Sequence, residues 1–161
     1  MGDHALRRPL REPRSASLGS RLRIRLNLME GWLYAHTKGR VGGKIAGQPV
    51  LLLTTTGRRT GRPRRTPVQY QSLRDGVFLV AAGGGSSLAP AWWHNLQADP
   101  HASVQIGGAR YSARASTLSH EERDELWPRL CERNGGLLRA QKQAGRELPI
   151  VRVRLAAHAG D

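Results

Sequence analysis

Apolar positions along this chain follow two different periods. Between Arg21 and Thr37, Leu22, Leu26, Met29 and Leu33 recur at helical spacing, with Ile24, Leu28 and Trp32 widening the stripe. This predicts an amphipathic helix over 21–37, with Arg21, Arg23 and Arg25 at its entrance. Its apolar face suits packing across a barrel, and its basic entrance also suits an anionic membrane surface; both roles stay open. Residues 1–20 hold arginines, serines and two prolines without any hydrophobic period, and read as a basic, flexible arm. Lys38 to Gly47 is glycine-rich and reads as a loop.

From residue 50 the period shortens. Val50–Thr56 and Pro67–Leu73 read as strands, and Arg74-Asp75-Gly76 reads as a tight turn into a third strand, Val77–Ala82. Pro90–Ala98 reads as a helix stopped by Asp99-Pro100. Ser103–Ile106 and Arg110–Ala115 form a further hairpin around Gly107-Gly108. Ser119 with Glu122 three residues on marks a capping box for a helix over Glu121–Glu132, and Ile150–Leu155 supplies a last strand. About six strands joined mostly as hairpins lack the intervening helices that parallel units need. The pattern therefore predicts an α+β, mainly β fold: a small antiparallel barrel with flanking helices, forming one domain over 38–161.

Composition narrows the setting. A chain of 161 residues fits one domain, and its single cysteine excludes an intrachain disulfide and a cysteine zinc cluster. Cys131 falls in the predicted helix and reads as a packed thiol. No apolar run reaches the length of a membrane span, and no signal-peptide core follows the N-terminal arginines, so a cytoplasmic location is expected. The net charge of +14 is nearly all arginine. Such charge attracts polyanions, but its placement, not its size, has to choose among them.

The most informative placement is Gly57-Arg58-Arg59-Thr60-Gly61-Arg62-Pro63-Arg64-Arg65, which lies between two predicted strands. Glycine permits positive φ and close approach of a ligand, successive N–H groups can form an anion nest, and guanidinium forks match phosphate and carboxylate oxygens. The segment is neither a Walker loop nor a dinucleotide fingerprint, because the Gly-Lys-Ser/Thr ending and the following helix are absent. A second segment, Ala82-Gly83-Gly84-Gly85-Ser86-Ser87, leads into Pro90-Ala91-Trp92-Trp93-His94-Asn95-Leu96. Three consecutive glycines fit either a mobile turn or a surface against which a flat group lies. Adjacent tryptophans on a helix point about 100° apart, so one can fill the core while the other lines a pocket.

Leu52 through Arg64, Val80-Ala81-Ala82 with its glycines, Pro90 through Leu96, Asp99-Pro100 and Val104-Gln105-Ile106 together resemble the deazaflavin-dependent nitroreductase family. The likeness runs from about Leu26 to Arg154 and includes Glu121-Glu122-Arg123, Trp127-Pro128 and Leu148 to Val151. It implies an FMN-binding-like split β-barrel that uses coenzyme F420, a deazaflavin with a phosphate and an oligoglutamate tail. By this resemblance, Thr56, Gly57, Arg58, Arg59, Thr60, Gly61 and Arg64 hold the phosphate and tail. Pro67 and Val68 border the cofactor, Ala82, Gly83, Gly84 and Gly85 edge the ring, and Trp92 with Asn95 closes that side. Ser86 and Ser87 are the candidates for a catalytic hydrogen bond to the developing anion.

The chain departs from the family at Asn134–Gly145, where nitro-reducing relatives carry aromatic residues and this sequence has none. The expected acceptor is a hydrophobic compound such as a quinone or a nitro compound, and a quinone reductase peripheral at the inner face of the membrane is one expectation. No histidine pair has metal-ligand spacing, so no metal is expected. A nucleic-acid binder is disfavoured because Tyr70, Phe78 and Tyr111 are too few and scattered for a stacking platform. The competing reading is a non-catalytic carrier on the same barrel, holding F420, FMN, haem or a lipid. Monomer and homodimer are both compatible with the sequence.

Overall fold

The computed structural model describes residues 44–45 and 47–156. The predicted basic arm and amphipathic helix lie outside the described residues. Six of the seven described strands close a barrel: β2 (Gln48–Thr56), β3 (Pro63–Leu73), β4 (Gly76–Val80), β5 (His101–Ile106), β6 (Ala109–Thr117) and β7 (Ile150–Leu155). Their order is β2-β3-β4-β7-β6-β5, every pairing is antiparallel, and β5 returns to β2. A short β1 (Lys44–Ile45) pairs with the start of β2, where a loop is expected from sequence.

Period-two alternation sorts the residues of each strand. Leu51, Leu53, Val68, Val77, Leu79, Val104, Ala113, Ala115, Val151 and Val153 point into the barrel and form its core. Helix α1 (Ala91–Ala98) adds Trp92 and Leu96, four residues apart on one face, to the same core. Phe78 and Ile150 point outward from β4 and β7. They are covered by Leu126 and Leu130 of α2 (His120–Arg133) and by Leu137 of α3 (Gly136–Ala144).

Helix α2 starts as the capping box requires: the Glu122 N–H donates to Ser119 Oγ at 3.2 Å, and the Ser119 N–H donates to Glu122 Oε2 at 3.0 Å. Cys131 is half-buried against the α2 cluster, and burial pushes its thiol up from its ordinary range. Arg123 is buried, with its ring of partners formed by Leu148 O, Glu147, Asp124, Gln141 and the face of Trp127.

Strand ends shift by a residue or two at several points, with β4 closing at Val80 and not at Ala82, and two larger corrections stand out. Strand β3 begins at Pro63 rather than Pro67, because Thr54, Thr55 and Thr56 of β2 pair with Arg65, Arg64 and Pro63. Pairing with a neighbour overrides the weak strand preference of arginine, and Pro63 occupies the first position, where its missing N–H is tolerated. Helix α3 (Gly136–Ala144) falls within the stretch Asn134–Gly145, for which no element is expected from sequence. Leu137 and Ala144 are its buried positions, and Gly145 at φ +62° ends it.

Candidate functional site

Strand β3 pairs with β2 from Pro63 to Gln69, but with β4 only from Tyr70 to Leu73. Among the described residues its first half therefore has a strand on one edge alone, and this is where the barrel is split. Strands β2 and β4 run in the same direction, since each is antiparallel to β3. Their following turns, one rich in arginine and one in glycine, leave the barrel at the same end. Pro67 and Val68 lie on the open stretch of β3, Pro67 half-buried and Val68 directed into the core.

The arginine turn is tightly built. The Gly57 N–H donates to Arg62 O at 2.9 Å, and the Thr60 and Gly61 N–H groups donate to Gly57 O at 3.1 and 2.7 Å. Gly61 sits at φ +65°, and a Cβ at Gly57 would press on Arg62 O and Thr60 Oγ1 at 3.0 Å. The Arg62 N–H turns back to Thr60 Oγ1. The row of free N–H groups expected of an anion nest is thus mostly consumed within the turn, and among its amides only that of Arg59 makes no bond to the described residues. What the turn presents to its surroundings is therefore mainly its side chains. Arg58, Arg59, Arg62, Arg64 and Arg65 are all exposed, and none pairs with an acid among the described residues.

Strand alternation divides these arginines. Arg64 folds back over the turn, with Nη2 3.5 Å from Thr60 Oγ1. Arg65 lies on the outer face, where it lines a cleft with Thr54, Ser103, Gln105 and Arg110. Asn95 anchors the turn from α1. Its Oδ1 accepts the Arg58 N–H at 3.1 Å, and its Nδ2 donates to Thr55 Oγ1 at 3.0 Å. Asn95 and Thr55 are both buried, so this amide braces the loop with both ends engaged. Beside it, Thr56 is exposed and Asp99 accepts from the His101 backbone and ring. Those bonds, and one to Thr56, hold the Asp99 carboxyl below the usual range.

After Val80, the glycine turn takes Gly83, Gly84 and Gly85 through φ of +57°, +66° and +79°, a run that only glycine accepts without strain. A Cβ at Gly84 would meet open space, whereas one at Gly85 would lie 2.5 Å from Gln143 Oε1. Ala82 and Ser86 are half-buried and Ser87 is exposed. Ser86 Oγ accepts the Leu88 N–H at 3.2 Å, which leaves its own O–H able to donate.

Of the two tryptophans, Trp92 is the core residue, at 6 % exposure, so its ring supports α1 instead of forming a surface wall. Trp93 is the more exposed; its Nε1–H donates to Thr117 Oγ1, and His94 packs edge-on against it at 4.8 Å. Sequence reasoning missed Arg146, which donates from Nη2 to Ala81 O at 3.0 Å and to Leu88 O at 3.3 Å, bridging both ends of the glycine turn. Nothing in the sequence separates it from the other arginines.

The family profile described as F420H(2)-dependent quinone reductase matches residues 27–155. A relative from Mycobacterium tuberculosis (strain ATCC 25618 / H37Rv), the F420H(2)-dependent quinone reductase Rv1261c, is 33% identical over 132 residues, covering 80% of this chain and 89% of the relative. Among solved structures, an F420-H2 dependent reductase (FDR-A) superposes with a TM-score of 0.59 at 31% identity, over 66% of this chain and 94% of that one. A structure described as a domain-swapped dimer gives 0.60 at 27% identity, over 86% and 100%.

Proposed function

This chain belongs to the F420H(2)-dependent quinone reductase family, and we propose that its arginine turn and open β3 edge hold reduced F420 for hydride transfer to a quinone. The observation that carries the site assignment is the cluster of exposed guanidinium groups with no acid partner among the described residues, set on a turn that Asn95 braces. A phosphate with an oligoglutamate tail is the complementary charge. The glycine turn fits the flat end of the same molecule, because at Gly84 there is open space where a side chain would stand. When bound, reduced F420 supplies the hydride, so the chain's own work is binding, orientation and water exclusion.

In this reading Arg58, Arg59 and Arg64 grip the anionic groups, with Thr56, Gly57, Thr60 and Gly61 shaping the turn beneath them. Pro67 floors the ring, and Ala82 to Gly85 form its edge. Asn95, Trp92 and Val68 act from behind: Asn95 through the Arg58 amide, the other two through the core. Ser86, whose O–H is free to donate, is the candidate for stabilising charge on the acceptor oxygen, with Ser87 beside it. A quinone is preferred over a nitro compound as acceptor because α3 presents Leu138 and Arg139 to solvent, with no aromatic ring along Asn134–Gly145.

The test is a fluorescence titration with F420 and with FMN, repeated on Arg58→Ala and Arg64→Ala, followed by oxidation of bound reduced F420 by a soluble quinone. F420 is expected to bind in preference to FMN, and each variant to lose about tenfold or more, as for one charge-assisted contact. Binding without quinone-driven oxidation would favour the carrier function instead. Equal affinity of wild type and both variants would remove the arginine turn from the site.

A further inference from the structure

Helix α3 and the segment after it reach the glycine turn at two points. The Arg146 guanidinium spans the turn, donating from one nitrogen to Ala81 O and Leu88 O, while its Nη1 reaches Glu147 O. It has no carboxylate partner among the described residues, so all of its recorded bonds go to main-chain carbonyls. Independently, the Gln143 side chain lies over Gly85, filling the space a Cβ would need. A run of three glycines with positive φ has many backbone conformations available, and each of these contacts removes some of them.

We propose that Arg146 is a positioning residue that clasps the two ends of the Ala82–Ser87 turn and so sets the surface against which the deazaflavin ring lies. The proposal rests on the assignment of this turn to the ring. A guanidinium is suited to the task because Nη1 is tied to Glu147 O and the rigid plane then fixes the direction of both Nη2 N–H groups, one toward each carbonyl, whereas a freely rotating ammonium or a shorter carboxamide has no second anchor to set that direction. With the clasp open, the turn samples shapes that do not match a planar ring, and affinity falls by the fraction of time spent in them. The phosphate and tail, held elsewhere, are indifferent to this change.

The test compares two probes on the full chain: F420, and the deazaflavin riboside that lacks phosphate and tail. Wild type is titrated first; if it binds neither probe, the ring assignment fails and the clasp falls with it. If it binds them, Arg146→Gln is expected to weaken both by a similar factor, about tenfold for two lost charge-assisted bonds. Arg58→Ala should weaken F420 and leave the riboside unchanged. Arg146→Lys keeps the charge and should lose most of the same affinity. A purely structural role would lower the melting temperature without this shared loss of ring affinity. Gly85→Ala disturbs the same turn from the Gln143 side and should repeat the pattern if the Arg146 variants fail to fold. Unchanged riboside affinity in Arg146→Gln or, should that variant not fold, in Gly85→Ala, or a Lys variant that matches wild type, would overturn the proposal.

Discussion

The two turns at the split end of the barrel use the same residue types in opposite ways. Around Gly57–Arg62 the backbone is closed on itself and the arginines are exposed, without acid partners among the described residues. At Gly83 and Gly84 the backbone is the exposed feature, and the arginine concerned, Arg146, turns its donors onto main-chain carbonyls. One turn offers charge and the other offers shape. Both depend on a distant side chain to hold them: Asn95, 37 residues from Arg58, and Arg146, 65 residues from Ala81. A glycine–arginine composition alone would not have told these roles apart. The destination of each donor does.

If Asn95 is the brace of the charged turn, its removal should produce the largest combined effect. Asn95→Ala leaves the Arg58 N–H and the buried Thr55 hydroxyl without their partner, and should cost about 3 kcal/mol of stability. It should also weaken F420 more than the ring-only riboside. Calorimetry and parallel titrations would check both, and a normal F420 affinity in the folded variant would mean the turn holds its own shape.

Smaller in effect, salt should separate the turns further. Exposed guanidinium contacts are screened, so raising ionic strength from about 0.05 to 0.5 M should weaken F420 while changing riboside affinity little. Equal sensitivity of the two probes would deny that charge is confined to one turn.

The mildest change lies away from both. Ser119→Ala removes the cap of α2 and should cost about 1 kcal/mol in stability without altering either affinity. The Glu122 carboxyl at this cap is held below its ordinary range, by the Ser119 N–H first and then by Arg152. A folded-state pKa below the unfolded one stabilises above the unfolded value and is lost as pH falls through the folded one. Melting temperature should therefore drop on acidification from about pH 5 to pH 3, and Glu122→Gln should flatten part of that drop.

Local patterns made most of the fold legible. The capping box at Ser119, the hairpin at Gly107-Gly108 and the apolar run of Val77 to Leu79 each lie within a few residues, and each stands where the pattern puts it. What escaped depends on pairing at long range. Arg64 and Arg65 join β3 because Thr54 and Thr55 are opposite them, and α3 is held by burial of Leu137 and Ala144 against elements far away in the chain. The candidate site divides in the same manner. Its arginines and glycines were visible as composition, whereas the inward commitment of the loop amides, the brace by Asn95 and the clasp by Arg146 are products of folding.

In the proposed site, anionic groups of F420 are held by the arginine turn while the ring rests elsewhere. The most direct measurement is the ratio of affinities of wild-type protein for F420 and for the riboside lacking phosphate and tail. The account predicts that F420 binds at least about a hundredfold more tightly, as expected for two or more charge-assisted contacts, and that Arg58→Ala with Arg64→Ala together brings the ratio close to one. Equal binding of the two probes by wild type would contradict it.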